Sequence, residues 1–210
     1  MTNIVNIWII LFQSSLCLGQ INVHEYILDF TKQEAEKIEL DQPTNRDSIL
    51  IRIWQSNYQV LEIRRSKDEI STGKLVNYVT KYNRREKPLK VLKEVIDLKP
   101  NFTDELLNQF ITKEIGSIKD SDEIRDYPDG LDGKTTTIEF YFNSSHRISS
   151  YWEIENDYYM DPSNPEIRKI RSILEIANSK ISWWPLFKRF RDQLKPGSYR
   201  YGGINMIVMK

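Results

Sequence analysis

Cysteine is all but missing from this chain: Cys17 is the only one, and it falls inside an apolar N-terminal block. An internal disulfide is therefore excluded, and so are a multi-thiolate metal centre and a cysteine nucleophile beyond that block. Histidine is nearly as scarce, with His24 and His146 alone. Nothing in their spacing makes a metal site. A Ser-His-Asp triad would have to draw on one of them, and there is no G-x-S-x-G elbow to present a serine. Gly202 and Gly203 stand apart from any phosphate-cradling pattern. Net charge is missing too, because 30 Lys and Arg balance 30 Asp and Glu. That removes whole-molecule steering towards nucleic acid. No catalytic residue, metal ligand or cofactor is assigned from these patterns.

Long apolar runs are absent after the first dozen residues. Met1 to Gly19 has no charged side chain, and Ile4, Val5 and Ile7 to Phe12 form a compact apolar block. A membrane-spanning helix needs about 20 apolar residues, so no transmembrane span is expected. A short apolar block followed by small residues (Ser14, Ser15, Cys17, Gly19) is organised as a secretory signal, although the usual basic n-region is lacking. Cleavage after Gly19 divides the chain into a signal peptide, 1–19, and a domain, 20–210. Two other readings stand beside it. Cys17 is the acylation point of a lipoprotein, for which Leu16 is a poor neighbour, or the block is a buried first strand of a cytoplasmic protein. The expectation carried forward is export, periplasmic or secreted, with the cytoplasm as runner-up.

Beyond residue 20 the chain is polar, with weak helical character over Thr31 to Ile38 and a break at Pro43. The period then becomes two. Ile49, Ile51 and Ile53 share one face of a strand, while Leu50, Arg52 and Trp54 share the other. Further strands are expected over Tyr58 to Arg65, Leu75 to Tyr82 and Leu89 to Leu98, together a four-strand antiparallel meander. A helix is expected over Asn101 to Ile115, capped by Asn101 or Thr103, with Leu106, Leu107, Phe110, Ile111 and Ile115 as its buried stripe. A hairpin pairs Thr135 to Asn143 with Arg147 to Glu155. Asn164 and Pro165 open a second helix, a third covers Pro185 to Leu194, and a strand near Tyr199 to Met209 closes the chain. Strands, helix, hairpin, helices and strand read as one α+β domain: a mostly antiparallel sheet with two or three helices packed on one face.

Two constellations carry chemical interest. Glu153, Glu155 and Asp157 alternate, which on a continuous strand would aim them from one face towards Glu139 on the partner strand. Clustered like charges raise one another's pKa, as general-acid work requires; a solvated sheet face is the plainer reading. The aspartates around Gly130 and Gly133 (Asp126, Asp129, Asp132) lack EF-hand spacing and fit ordinary turn chemistry. Aromatics crowd the last sixty residues. Phe187, Phe190 and Leu194 share a helical face and are expected in the core. Tyr158 and Tyr159 lie in a loop near Pro162 and Pro165, and are the candidates for an exposed contact surface.

The segment Arg189-Phe-Arg-Asp-Gln-Leu-Lys-Pro-Gly-Ser-Tyr-Arg-Tyr-Gly-Gly203 resembles the tail of small exported proteins of low-GC Gram-negative bacteria. Ile51-Arg-Ile-Trp54 followed by Val60-Leu-Glu-Ile-Arg64 is similar to their first hairpin. The scarcity of alanine, found only at 35 and 177, against plentiful Ile, Asn and Lys fits such a source. The resemblance implies no activity and no site residues. Altogether a non-enzymatic binding domain is expected, taking a protein, peptide or glycan through Tyr158, Tyr159, Glu153, Glu155 and Asp157. The alternative is a hydrolase or lyase using the carboxylates. A cytoplasmic immunity-like or regulatory role follows only if the N-terminal block is not a signal.

Overall fold

A computed structural model describes residues 23–128, 130 and 132–209, with side chains from Ile27 onward. The expected signal peptide and Asp129 lie outside the described residues, and of His24 only the backbone is described. The elements run α1 (Val23–Lys37), β1 (Asp47–Gln55), β2 (Gln59–Ser66), β3 (Ser71–Tyr82), β4 (Pro88–Asp97), α2 (Pro100–Thr112), β5 (Thr135–Phe142), β6 (Ser145–Trp152), α3 (Pro165–Lys180), α4 (Trp183–Asp192), β7 (Gly197–Tyr201) and β8 (Ile204–Val208). The architecture is α+β with an antiparallel sheet, as the alternating pattern implied.

The strand order is β6-β5-β1-β2-β3, and β3 carries both β4 and the β7–β8 hairpin. Residues 71–77 of β3 pair with β2, and Thr80 to Tyr82 pair with β7 on the same edge; β4 takes the other edge. The closing strand of the sequence reading is therefore two strands. Gly202 and Gly203, at φ 51° and 80°, supply the left-handed backbone that a two-residue hairpin turn demands.

One face of the sheet presents Ile51, Ile53, Leu61, Ile63 and Leu75 to α2 and α3, which answer with Leu106, Leu107, Phe110, Ile170, Ile173 and Leu174. The same face continues to Val79, where α4 seats Phe187 and Phe190. Three helices thus cover one face. A fourth, α1, lies across the opposite face and packs Ala35 and Ile38 on Trp54, Val60 and Val76. This is why β1 is buried on both sides, Leu50 and Arg52 as completely as Ile51 and Ile53.

The start of α3 follows local capping chemistry, whereas α2 and α4 start without a side-chain cap. Asn164 caps α3 by accepting from the Glu166 and Ile167 amides, and Pro165 occupies the first helical position. In α2, Pro100 takes that position instead, so neither Asn101 nor Thr103 caps the helix. The Thr103 hydroxyl donates back to the Lys99 carbonyl.

Candidate functional site

The expected carboxylate row does not form. Strand β6 ends at Trp152, whose partner Thr135 is the first residue of β5, so no ladder exists to hold Glu153 extended. Glu153 turns at φ 49°, and its side chain accepts from the Lys134 amide and the Asn156 side chain. Glu155 pairs with Lys134 Nζ and accepts from Asn178, while Asp157 pairs with Arg171. Each acid has its own cation or amide donor. Glu139 pairs in register with Ile148, in mid-strand, well away from all three.

The turn that scatters the acids gathers the aromatics. Trp152 and Tyr159 ring centroids stand 4.6 Å apart, and Tyr159 meets Tyr158 edge-on at 4.9 Å. Trp152 is the anchored end: its indole N–H donates to the Asp132 carbonyl at 2.7 Å, and its ring lies so close to Gly130 that a Cβ there would overlap it. Tyr159 is half-exposed and Tyr158 is 86% exposed. The three rings form an aromatic ridge whose outermost member is open to solvent, bordered by Glu153, Asn156 and Asp157. Rings held this way lose little conformational entropy when they contact a partner.

A second constellation lies beneath α1 and centres on Arg52, which the alternation placed beside Leu50 and Trp54 without a role. Arg52 is 1% exposed. Its Nε donates to Glu62 at 2.7 Å, Nη1 to both Glu139 oxygens at 3.3 Å, and Nη2 to the Asp41 carbonyl. Glu62 also meets Lys74 at 3.3 Å and Arg64 at 3.8 Å, and Arg64 pairs with Asp47 at 2.6 Å. Three cations thus meet three carboxylates. His146, at the rim, makes a 3.0 Å hydrogen bond to Glu139. Burial pushes the Glu139 carboxyl up, but the His146 hydrogen bond and the Arg52 charge outweigh it and hold it below the usual carboxylate range. The cluster opens on a cavity of about 460 Å³ lined by Thr31, Lys32, Gln42, Tyr141 and His146. The sequence signal for this cluster is the placement of Arg52 between Leu50 and Trp54 on one strand face, opposite Glu62 on the next strand.

Among the described residues no group of three or more His, Cys, Asp and Glu side chains could hold a metal ion. No helix of the described residues is long and apolar enough to cross a membrane.

These features define an α+β protein with an exposed aromatic ridge on one end of its sheet and a buried charge cluster under its first helix. Comparison with protein-family models and with curated proteins finds no match to the chain.

Proposed function

We propose that this protein is an exported, non-enzymatic binding domain that takes a glycan on the Trp152–Tyr159–Tyr158 ridge. The observation that carries the reading is the ridge itself: an anchored indole supports two tyrosines, the outer one 86% exposed. Aromatic faces accept the C–H faces of sugar rings, and the bordering Glu153, Asn156 and Asp157 supply hydrogen-bonding groups for hydroxyls. Export rests on the uncharged block of residues 1–19. A glycan-array screen tests the reading, comparing the wild type with the Tyr158→Ala/Tyr159→Ala double variant. The expected result is wild-type binding that falls at least tenfold in the variant while both melt together. Equal binding by the two proteins, or capture of peptides alone, sinks it.

The Glu139–His146 pair favours a second reading, a hydrolase or lyase in which His146 takes the proton and Glu139 orients it. Its test is release of nitrophenol from 4-nitrophenyl acetate. Release that is the same in the His146→Gln variant removes it.

A further inference from the structure

An aromatic ring accepts the C–H face of almost any sugar, so the ridge by itself does not choose its glycan. Charge makes the choice. The chain as a whole is neutral, yet residues 125–134 and 153–161 hold seven Asp and Glu against two Lys and Arg. These two segments meet around the ridge. The Trp152 indole donates to the Asp132 carbonyl, and the Tyr127 hydroxyl donates to the Trp152 carbonyl at 2.9 Å. Asp126 and Tyr127 from one segment, with Tyr159 and Asp161 from the other, line a cavity of about 290 Å³. Ligand pockets begin near that size, so it has room for one small unit of a ligand.

The acids are not neutralised from within. Arg125 pairs with Asp126 at 3.3 Å, Lys134 with Glu155, and Arg171 of α3 with Asp157. Both cations of the two segments are then taken, and among the described residues Asp132, Glu153 and Asp161 belong to no ion pair. Glu153 accepts from the Lys134 amide and the Asn156 side chain, and Asp161 from the Ser163 hydroxyl and amide. The Ser163 bonds hold the Asp161 carboxyl below its ordinary range, so it is ionised at neutral pH. Glu153 lies against the ridge. A Cβ added to Gly133 would overlap both its carboxylate and the Trp152 indole nitrogen.

The rings also have a shape that suits a cation. The planes of Tyr158 and Tyr159 stand 89° apart, and those of Tyr159 and Trp152 54° apart. Rings so inclined make corners rather than the flat platform along which a neutral sugar chain would lie. The negative faces of aromatic rings attract an ammonium group, and carboxylates beside them attract it further.

We infer that the ridge selects a glycan bearing ammonium groups, a chain of de-N-acetylated amino sugars, over neutral or anionic ones. The inference rests on the glycan reading above and adds the charge of the sugar. An anionic sugar would face three carboxylates that no cation of the protein offsets.

The probes are the β-1,4 hexamers of glucosamine and of N-acetylglucosamine, with a lysine hexapeptide as a charge control. Binding to the full chain is measured calorimetrically at about pH 6, where the amines are protonated and the carboxyls are not. In about 50 mM salt the glucosamine hexamer binds at least about tenfold more tightly than its acetylated counterpart. That preference disappears in about 500 mM salt. It also disappears in the Asp132→Asn/Glu153→Gln/Asp161→Asn variant, whose amides keep the acceptor oxygens and remove only charge. Should the variant fold poorly, the salt series on the wild type decides alone. Equal or tighter binding of the acetylated hexamer overturns the inference and leaves the glycan reading standing. If neither hexamer binds, both fall. A lysine hexapeptide that binds as tightly as the glucosamine hexamer, or a preference that survives high salt, also overturns it.

Discussion

Arg52 Nε and Glu62 Oε2 meet across 2.7 Å on adjacent strands with both side chains cut off from solvent. Glu139 grips the same guanidinium from the other flanking strand. The pair is therefore part of a clamp joining β2, β1 and β5 under α1, and the Asp41 carbonyl ties the exit of that helix to it. A wrong register in either pairing would bury these charges apart.

Removing one partner is predicted to cost far more than a surface ion pair is worth. Arg52→Ala leaves Glu62 and Glu139 buried without their shared cation, and a loss of about 3–5 kcal/mol is expected. Urea denaturation measures it. A loss below about 1 kcal/mol, the value of an exposed pair, would show that the clamp is solvated.

Acid should loosen the same region. The folded-state pKa of Glu139 lies below the ordinary value: burial raises it, but the His146 hydrogen bond and the Arg52 charge prevail. At Asp47 burial likewise raises, and the Thr44 and Arg64 hydrogen bonds win. For a depressed carboxyl the stabilisation is full above the unfolded value, roughly pH 4, and is lost as pH falls through the lower folded value. Stability should therefore decline below about pH 4, and Glu139→Gln should flatten that decline. Equal acid limbs for variant and wild type would contradict the assignment.

Tyr158 should separate binding from folding. With 86% of its surface exposed, Tyr158→Ala is expected to change stability by no more than about 0.5 kcal/mol while weakening partner capture. Tyr159→Ala, which removes the ring packed on Trp152, should cost about 1 kcal/mol. Thermal melts of the two variants give the comparison.

Helix α2 offers a test of the core at two adjacent residues. Phe110 is fully buried and Ile111 is 42% exposed. Phe110→Ala should cost about 3–5 kcal/mol and Ile111→Ala under about 1. Similar losses at both positions would mean that the helix is rotated from its place on the sheet.

The two neighbours also show how far local pattern reaches. A helical stripe placed Phe110 and Ile111 together, but α2 is covered on only one side, so Ile111 is left at the rim. Strands β1 to β4 were legible because apolar residues alternate along them, and α3 because Asn164 and Pro165 carry its start. Glu153 is the opposite case. Trp-Glu-Ile-Glu continues the alternation of β6, yet pairing stops where β5 runs out of residues, and the chain turns. The expected acid face dissolved for a reason held in the partner strand, while the same turn stacked Tyr159 on Trp152.

Sequence alone determined the α+β character, the antiparallel meander, the core face of α4 and the exposure of Tyr158, because period, caps and turn residues act within a few positions. Tertiary structure alone decided that α1 closes the second face, that Arg52 is buried rather than solvated, and that Gln55, Gln59, Asn77 and Thr136 line up as one interior rung. Each of these depends on which residues meet across strands distant in the chain. An alternating strand looks the same whether its polar face meets water, a helix or a neighbour's amide.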